Sequence, residues 1–244
     1  MRRNGMKFVL DVHTHTLASG HSYSTIREMA HTASERGLKL LGITEHGPKM
    51  PGSCHELYFQ NLKVVDRQMC GVELLLGAEL NIMAPDGTVD LPDSILQKLD
   101  ITIASLHVPC MKPGTLEENT RAYINAIKNP LINIIGHPDD RRYPVDYKEI
   151  VLAAKEHGTL IELNNASLTE GGARVNARPL DIELFGLCKE YEVPIVIGSD
   201  AHIHLAVGNH DQAEALLAEV NFPDHLIVNQ NEEYFKKYVN RYKF

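Results

Sequence analysis

Seven short apolar runs alternate with longer amphipathic stretches along almost the whole 244-residue sequence, and this rhythm limits the folds open to the chain. The runs are MKFVLDVH, LKLLGITEH, VELLLGAEL, DITIASLH, LINIIGHP, GTLIELNNAS and VPIVIGSDAH. Between them lie helical patterns such as STIREMAHTASERG, LEENTRAYINAIKN, YKEIVLAAKEHG and PLDIELFGLCKEYE, several of which close on glycine or run into proline. Alternation of this kind predicts parallel strands joined by crossover helices, and continuous apolar runs predict strands covered on both faces. No Pro/Ser-rich linker divides the series, so one α/β domain over residues 1–244 is expected, a barrel of about seven strands. MAPDGTVDLPDS carries the Asp-Gly signal of a hairpin or loop excursion, and NEEYFKKYVNRYKF reads as a closing amphipathic helix.

The runs also end alike. The first delivers His13 and His15, the second His46, the third Glu79, the fourth His107, the fifth His137, and the last Asp200 and His202. In a parallel βα barrel the C-terminal strand ends share one rim, where the loops converge on a pocket. His13-x-His15 and Asp200-x-His202 have the spacing that puts two side chains on one face of a strand. A helical zinc site would need the i, i+4 spacing of H-E-x-x-H, which is absent. A lone strand-end histidine is more often a hydrogen-bonded structural residue; metal-ligand types at the ends of six strands are hard to explain as independent choices. Asp11, two residues before His13, is either an outer partner of a ligand or a buried, satisfied carboxylate.

Composition narrows the function classes. With a formal net charge of -8 and no run of Lys or Arg, the chain is a poor match for duplex nucleic acid, which is held mainly through phosphate neutralisation. Cys54, Cys70, Cys110 and Cys188 show no C-x-x-C spacing and read as reduced thiols. The apolar start is broken at Asp11, and no stretch approaches the roughly 18 apolar residues of a membrane span, so a cytoplasmic protein is expected. No G-x-S-x-G elbow or catalytic-cysteine motif is present.

Taken in order, DVHTHT, HSYST, ITEHG, GAELN, SLH, GHP and GSDAH resemble the PHP (polymerase and histidinol phosphatase) family, most of all its YcdX-like branch of small phosphatases. The resemblance spans nearly the whole chain. It implies a distorted (β/α)7 barrel holding three divalent metal ions, zinc foremost, with manganese or iron as alternatives. Carried over by motif, one ion takes His13, His15, Glu79 and Asp200; a second takes His21, His46 and His202; a third takes His107 and His137, with Glu79 bridging. Glu45 departs from the family's usual Asp before the second-strand histidine. By strand alternation it should point away from His46 and act as a structural or outer carboxylate.

Three divalent ions balanced by two carboxylates and a bridging hydroxide would leave the cluster about three charges positive, a seat for a compact dianion. The expected reaction is therefore hydrolysis of a small phosphomonoester by a metal-activated hydroxide, with no protein nucleophile. Arg141 and Arg142, on the loop after the fifth run, could fork a phosphate, or could pair with Asp139, Asp140 or Asp146. Asn164 and Asn165 end the sixth run, and one could point inward or cap the next loop. Ser22 and Tyr23 could line the entrance. His31, His55, His157, His210 and His225 read as ordinary polar residues, and His204 largely so. The rival readings are a nuclease or phosphodiesterase, a catalytically silent metal-binding module, and a C–N hydrolase barrel, for which no strand-end lysine is present. The resemblance admits a homo-oligomer, for which the sequence offers no heptad or apolar surface stripe.

Overall fold

The computed structural model describes residues 7–242; Met6 of the first run, the rest of the N-terminal start, and residues 243–244 of the expected closing helix lie outside it. In chain order the elements are β1 (Leu10–Asp11), α1 (Ile26–Glu35), β2 (Leu40–His46), α2 (Glu56–Asn61), β3 (Gln68–Met69), β4 (Val72–Asn81), α3 (Asp93–Leu96), β5 (Ile101–Ser105) and α4 (Leu116–Ile127). They continue with β6 (Ile134–Ile135), α5 (Tyr147–His157), β7 (Leu160–Asn164), α6 (Ala177–Tyr191), β8 (Ile195–Gly198), α7 (Asp211–Glu219) and α8 (Glu232–Lys236). Seven strands pair in parallel in the order β1-β2-β4-β5-β6-β7-β8, and the short β3 runs antiparallel to β4. The expected barrel is present.

Local chemistry sets the helix limits. Thr25 with Glu28 and Thr115 with Glu118 form reciprocal capping boxes at the starts of α1 and α4. Asp146 caps α5, which ends where Gly158 adopts a left-handed backbone. Leu10, Leu40, Leu75, Ile101, Ile134, Leu160 and Val196 fill the floor inside the barrel. Met29, Tyr123, Ile150, Phe185 and Leu216 pack the helices onto its outside. Both sheet faces are therefore covered, as runs without polar alternation require. The Asp-Gly excursion forms as read, with Ile82 bridged to Val89 and Gly87 at φ 81°.

Strand alternation carries the inward positions from floor to rim: from Leu40 to His46 and from Leu75 to Glu79 is an even number of steps. Two strands depart from it. Regular pairing of β1 stops at Asp11, and beyond it the chain turns so that His13, three residues after the inward Leu10, also faces the interior. At His137, three residues after the inward Ile134, a left-handed backbone (φ 31°) makes the same correction. Asp200 is left-handed as well (φ 54°).

The segments after β1 and β8 bond directly at the mouth, where Asp200 N donates to His13 O and His15 N to Ala201 O, both at 2.9 Å. Lower down Asn229 wedges the seam. Its Nδ2 donates to Leu10 O and Ile197 O, its Oδ1 accepts from Ile197 N, and its carbonyl accepts from Val9 N. The expected long closing helix is corrected to the five-residue α8 and a single turn at Asn240–Tyr242. Phe235 and Val239 plug the barrel floor, and Asn240 bonds Asn133 and Leu131 O, so this segment follows the barrel base and not a surface. Among the described residues no helix is long and apolar enough to cross a membrane.

Candidate metal centre

All nine residues read as ligands stand around one cup at the C-terminal rim. Glu79, fully buried on β4, is the hub: its Oε2 lies 2.7 Å from His46 Nδ1, 3.4 Å from His13 Nε2 and 3.5 Å from His15 Nε2. Its Oε1 lies 2.7 Å from His137 Nε2 and 3.2 Å from His107 Nε2. Asp200 Oδ1 faces His15 Nε2 at 3.2 Å, and His21 Nε2 meets His202 Nε2 at 3.1 Å. Eight of the nine form four overlapping groups, His13/His15/Asp200, His15/His46/His202, His13/Glu79/His137 and His46/Glu79/His107, while His21 stands outside them beside His202. This grouping cuts across the partition drawn from the resemblance, since His46 stands with Glu79 and His107 as well as with His15 and His202.

The rings are oriented from behind. His13 Nδ1 donates to Glu162 Oε1 at 2.6 Å, His107 Nδ1 to Asn81 Oδ1 at 2.8 Å, and His202 Nδ1 to the Asp200 carbonyl at 2.9 Å. His15 Nδ1 donates to Ser19 Oγ at 3.1 Å, because that hydroxyl gives its own hydrogen to Glu45. Each of these rings thus turns Nε2 into the cup, as metal-ligating histidines do. His13 Nε2 and His15 Nε2 end up 3.1 Å apart, which only a proton or a metal ion between them makes tolerable. Two nitrogens on a tetrahedral zinc, each about 2.0–2.1 Å from the ion, lie about 3.3 Å apart. His46 Nδ1, Glu79 Oε2 and Asp200 Oδ1 are buried with no hydrogen-bond partner among the described residues; His46 Nδ1 and Glu79 Oε2 touch without hydrogen-bond geometry. Neutral imidazoles, two acids and orphaned lone pairs fit divalent zinc, manganese or iron.

Electrostatics point the same way. Burial would raise Glu79 and Asp200, but His107 and His13 at Glu79, and His13, His15 and Arg174 at Asp200, outweigh it and hold both carboxyls well below the usual range. Burial would lower His13, yet Glu162, Glu79 and Asp200 converge on it and raise it well above an ordinary histidine. His15 is pushed well down by burial and then by His46, and His137 to about 4 by burial and then by Arg174. The cup stabilises positive charge at its centre and keeps His15 and His137 neutral, the form in which an imidazole ligates.

Two residues not singled out in the sequence join the site. Glu162, inside β7, holds His13 through one oxygen and the His137 N–H through the other. Its signal was its parity with Asn164; Gly198 leaves it room, since a Cβ there would sit 2.1 Å from Glu162 Oε1. Arg174 is a largely buried cation at the cup, its side chain 11% exposed, its Nη2 3.0 Å from Asp200 Oδ2 and its Nη1 3.4 Å from Asn164 Oδ1. It walls both a cavity of about 460 Å³ with His21, His46 and His202, and a side lobe of about 230 Å³ with His107 and His137.

The earlier candidates divide. Asn164 points inward, its Nδ2 donating to Asp200 Oδ2 and Glu162 Oε2, while its Oδ1 caps the next turn through Ser167 N. Asn165 instead caps the start of α7 at Gln212 and Ala213. Arg142 forks Asp140 and donates to Ala173 O at the lobe's edge, so the pairing alternative holds; Arg141 is exposed, and its backbone N–H donates to Val175 O of the neighbouring loop. Asp11 does not touch His13: it accepts from Ser199 N and Gly208 N and faces His210, because β1 loses its alternation just beyond it. Glu45 points away from the cup as expected. Tyr23 is exposed, His204 bonds Ser24, and His31 and His55 lie outside the site. The four cysteines are free thiols.

The PHP domain family model matches residues 11–221. A protein named "Probable phosphatase" from Clostridium novyi (strain NT) is 48% identical over 96% of this chain and 95% of its own length. Another so named, from Caldanaerobacter subterraneus subsp. tengcongensis, is 48% identical over 97% and 93%. Among solved structures, the histidinol phosphate phosphatase of Lactococcus lactis subsp. lactis Il1403, complexed with zinc, L-histidinol and phosphate, superposes with a TM-score of 0.61 at 22% identity, covering 88% of this chain and 94% of that one. A Xaa-Pro dipeptidase with bound methionine shares the barrel more loosely, at TM-score 0.52 and 14% identity over 94% and 75%.

Proposed function

Because the chain belongs to the PHP domain family, we propose that it is a metal-dependent phosphatase that hydrolyses a small phosphomonoester at a three-ion centre. The observation that carries this reading is the inward convergence of bare nitrogens and orphaned carboxylate oxygens on overlapping donor groups, too many for a single ion. His13, His15, His21, His46, Glu79, His107, His137, Asp200 and His202 would hold the ions, with residues 1–244 serving the site as one unit. When bound, the ions supply Lewis acidity toward phosphoryl oxygens and an activated water.

The protein's own residues do the rest. Glu162, Ser19, Asn81 and the Asp200 carbonyl hold the rings in one tautomer. Arg174, fixed by Asp200 and Asn164 at the junction of the two lobes, is placed to fork a phosphate oxygen pair. The side lobe, edged by Val108, Pro109 and Arg142, would receive the leaving group. A covalent cysteine route is disfavoured, since burial pushes the Cys54 thiol up to about 12 and Cys110 to about 11.

The test is a panel of phosphomonoesters and phosphodiesters offered to protein stripped with chelator and reloaded with zinc, manganese or iron. Chelator-sensitive hydrolysis of monoesters is expected. Absence of turnover across the panel at full metal loading would refute the enzyme assignment, and preference for diesters would favour a nuclease.

A further inference from the structure

Two acidic residues outside the cup, Glu45 and Asp90, are each connected to it through one neutral side chain. Glu45 is fully buried on β2 and is an acceptor throughout, taking hydrogen bonds from Thr16 N, Thr16 Oγ1, Ser19 Oγ and Tyr58 Oη. The Ser19 hydroxyl has one hydrogen, and it goes to Glu45 Oε2 at 2.6 Å. The lone pairs of Ser19 are left to accept from His46 N and His15 Nδ1, both at 3.1 Å. A hydroxyl free to rotate could donate to His15 and leave the proton on the wrong nitrogen. Glu45 removes that choice.

Asp90 does the same on the opposite side. It accepts from Asn81 N at 2.9 Å, Asn81 Nδ2 at 2.6 Å and Lys49 N at 3.0 Å. Gly47 makes room for it, since a Cβ there would lie 2.3 Å from both of its carboxylate oxygens. With its amide nitrogen committed to Asp90 and to Gly47 O, Asn81 must present Oδ1 to His107 Nδ1 at 2.8 Å. His107 therefore keeps Nε2 bare toward Glu79. No donor group contains both His15 and His107: the first stands with His13, Asp200, His46 and His202, the second with His46 and Glu79.

We propose that Glu45 through Ser19, and Asp90 through Asn81, are positioning relays that fix the tautomers of His15 and His107 and so set ion affinity separately at two places in the cup. The inference rests on the metal-binding reading of the site. Outer partners of this kind typically change metal affinity by about 10–100-fold. Glu162, bonded directly to His13, is the unrelayed counterpart.

The relays are tested with Glu45→Gln and Ser19→Ala on one side and Asp90→Asn and Asn81→Ala on the other. Nitrogen-15 NMR of the metal-free proteins reads the tautomer of each histidine, and chelator competition with metal analysis reads affinity and stoichiometry. Expected is a mixed tautomer at His15 alone for the first pair and at His107 alone for the second, each with one ion weakened about 10–100-fold and the others unchanged. Tyr58→Phe removes another bond to Glu45 without touching the relay, and should load like wild type. Unchanged tautomers and wild-type loading in a folded Ser19→Ala or Asn81→Ala protein would overturn the proposal, as would equal weakening of every ion in all four variants. If wild-type protein took up no divalent ion, the metal reading would fall with its consequence for affinity, while the spectra would still decide whether the relays set the tautomers.

Discussion

Glu162 Oε1 sits 2.6 Å from His13 Nδ1 while its Oε2 accepts the His137 N–H, so one carboxylate braces two strand-end histidines that alternation alone would have turned outward. Glu162→Gln keeps the shape but replaces an acceptor with an amide beside an N–H. Metal affinity or turnover should fall about 10–100-fold with little loss of fold. Metal titration and phosphatase kinetics check this.

Gly198→Ala should disturb the same brace by bulk. Its Cβ would come 2.1 Å from Glu162 Oε1 and 2.8 Å from His13 Cβ. Overpacking of this kind costs about 1–3 kcal/mol, and activity should drop with stability in thermal melts and assays of one sample. A variant as stable and active as wild type would show that the barrel wall can yield there.

His13→Ala removes a donor common to two of the four groups and should lose at least one bound ion together with the activity. Metal analysis after reloading, beside an assay, checks this. Full activity would remove His13 from the ligand set.

Arg174→Ala leaves Asp200 without its guanidinium partner. In metal-free protein the variant should be less stable by about 3–5 kcal/mol, the usual consequence of breaking a buried pair. In metal-loaded protein KM for a phosphomonoester should rise, and Arg174→Lys should recover stability better than substrate affinity, because an ammonium does not fork.

Asp139 and Asp181 are buried near Arg174, with the two carboxyls facing each other. Burial raises both, and Asp139 stands at about 6 although Arg174 pulls it down. Between the unfolded value near 4 and about 6, the unfolded chain releases this proton and the folded one keeps it, so stability falls as pH rises through that window. Asp139→Asn removes the penalty. It should stabilise the protein by roughly 1–3 kcal/mol at pH 7–8 and have no effect near pH 4, as denaturant melts at both values would show.

Much of the cup could be read from sequence because strand-end residues are placed by the barrel itself: once floor residues such as Leu40 and Leu75 face inward, His46 and Glu79 follow. The limits were equally physical. Asp11 was a candidate outer partner by parity, but β1 is regular for only two residues and that parity ends there. Glu162 lies inside a strand without a motif around it, and its role depends on space left by Gly198 of another strand. Arg174 comes from the irregular stretch after β7, where no periodicity predicts direction; Arg142, nearer a ligand in sequence, is drawn aside by Asp140 two residues before it. The closing segment had helical periodicity, yet Asn229 and Asn240 fix it to the barrel base.

The Asn229 wedge has a bearing on how the enzyme comes into being. His13 and His15 stand on one lip of the β1–β8 seam and Asp200 on the other; the lips bond each other directly at the mouth, and Asn229 laces them together below it. On the ribosome, every proposed ligand would emerge before the stretch that laces the lower seam. The seam beneath the cup would then be finished last, by a stretch that contributes no ligand.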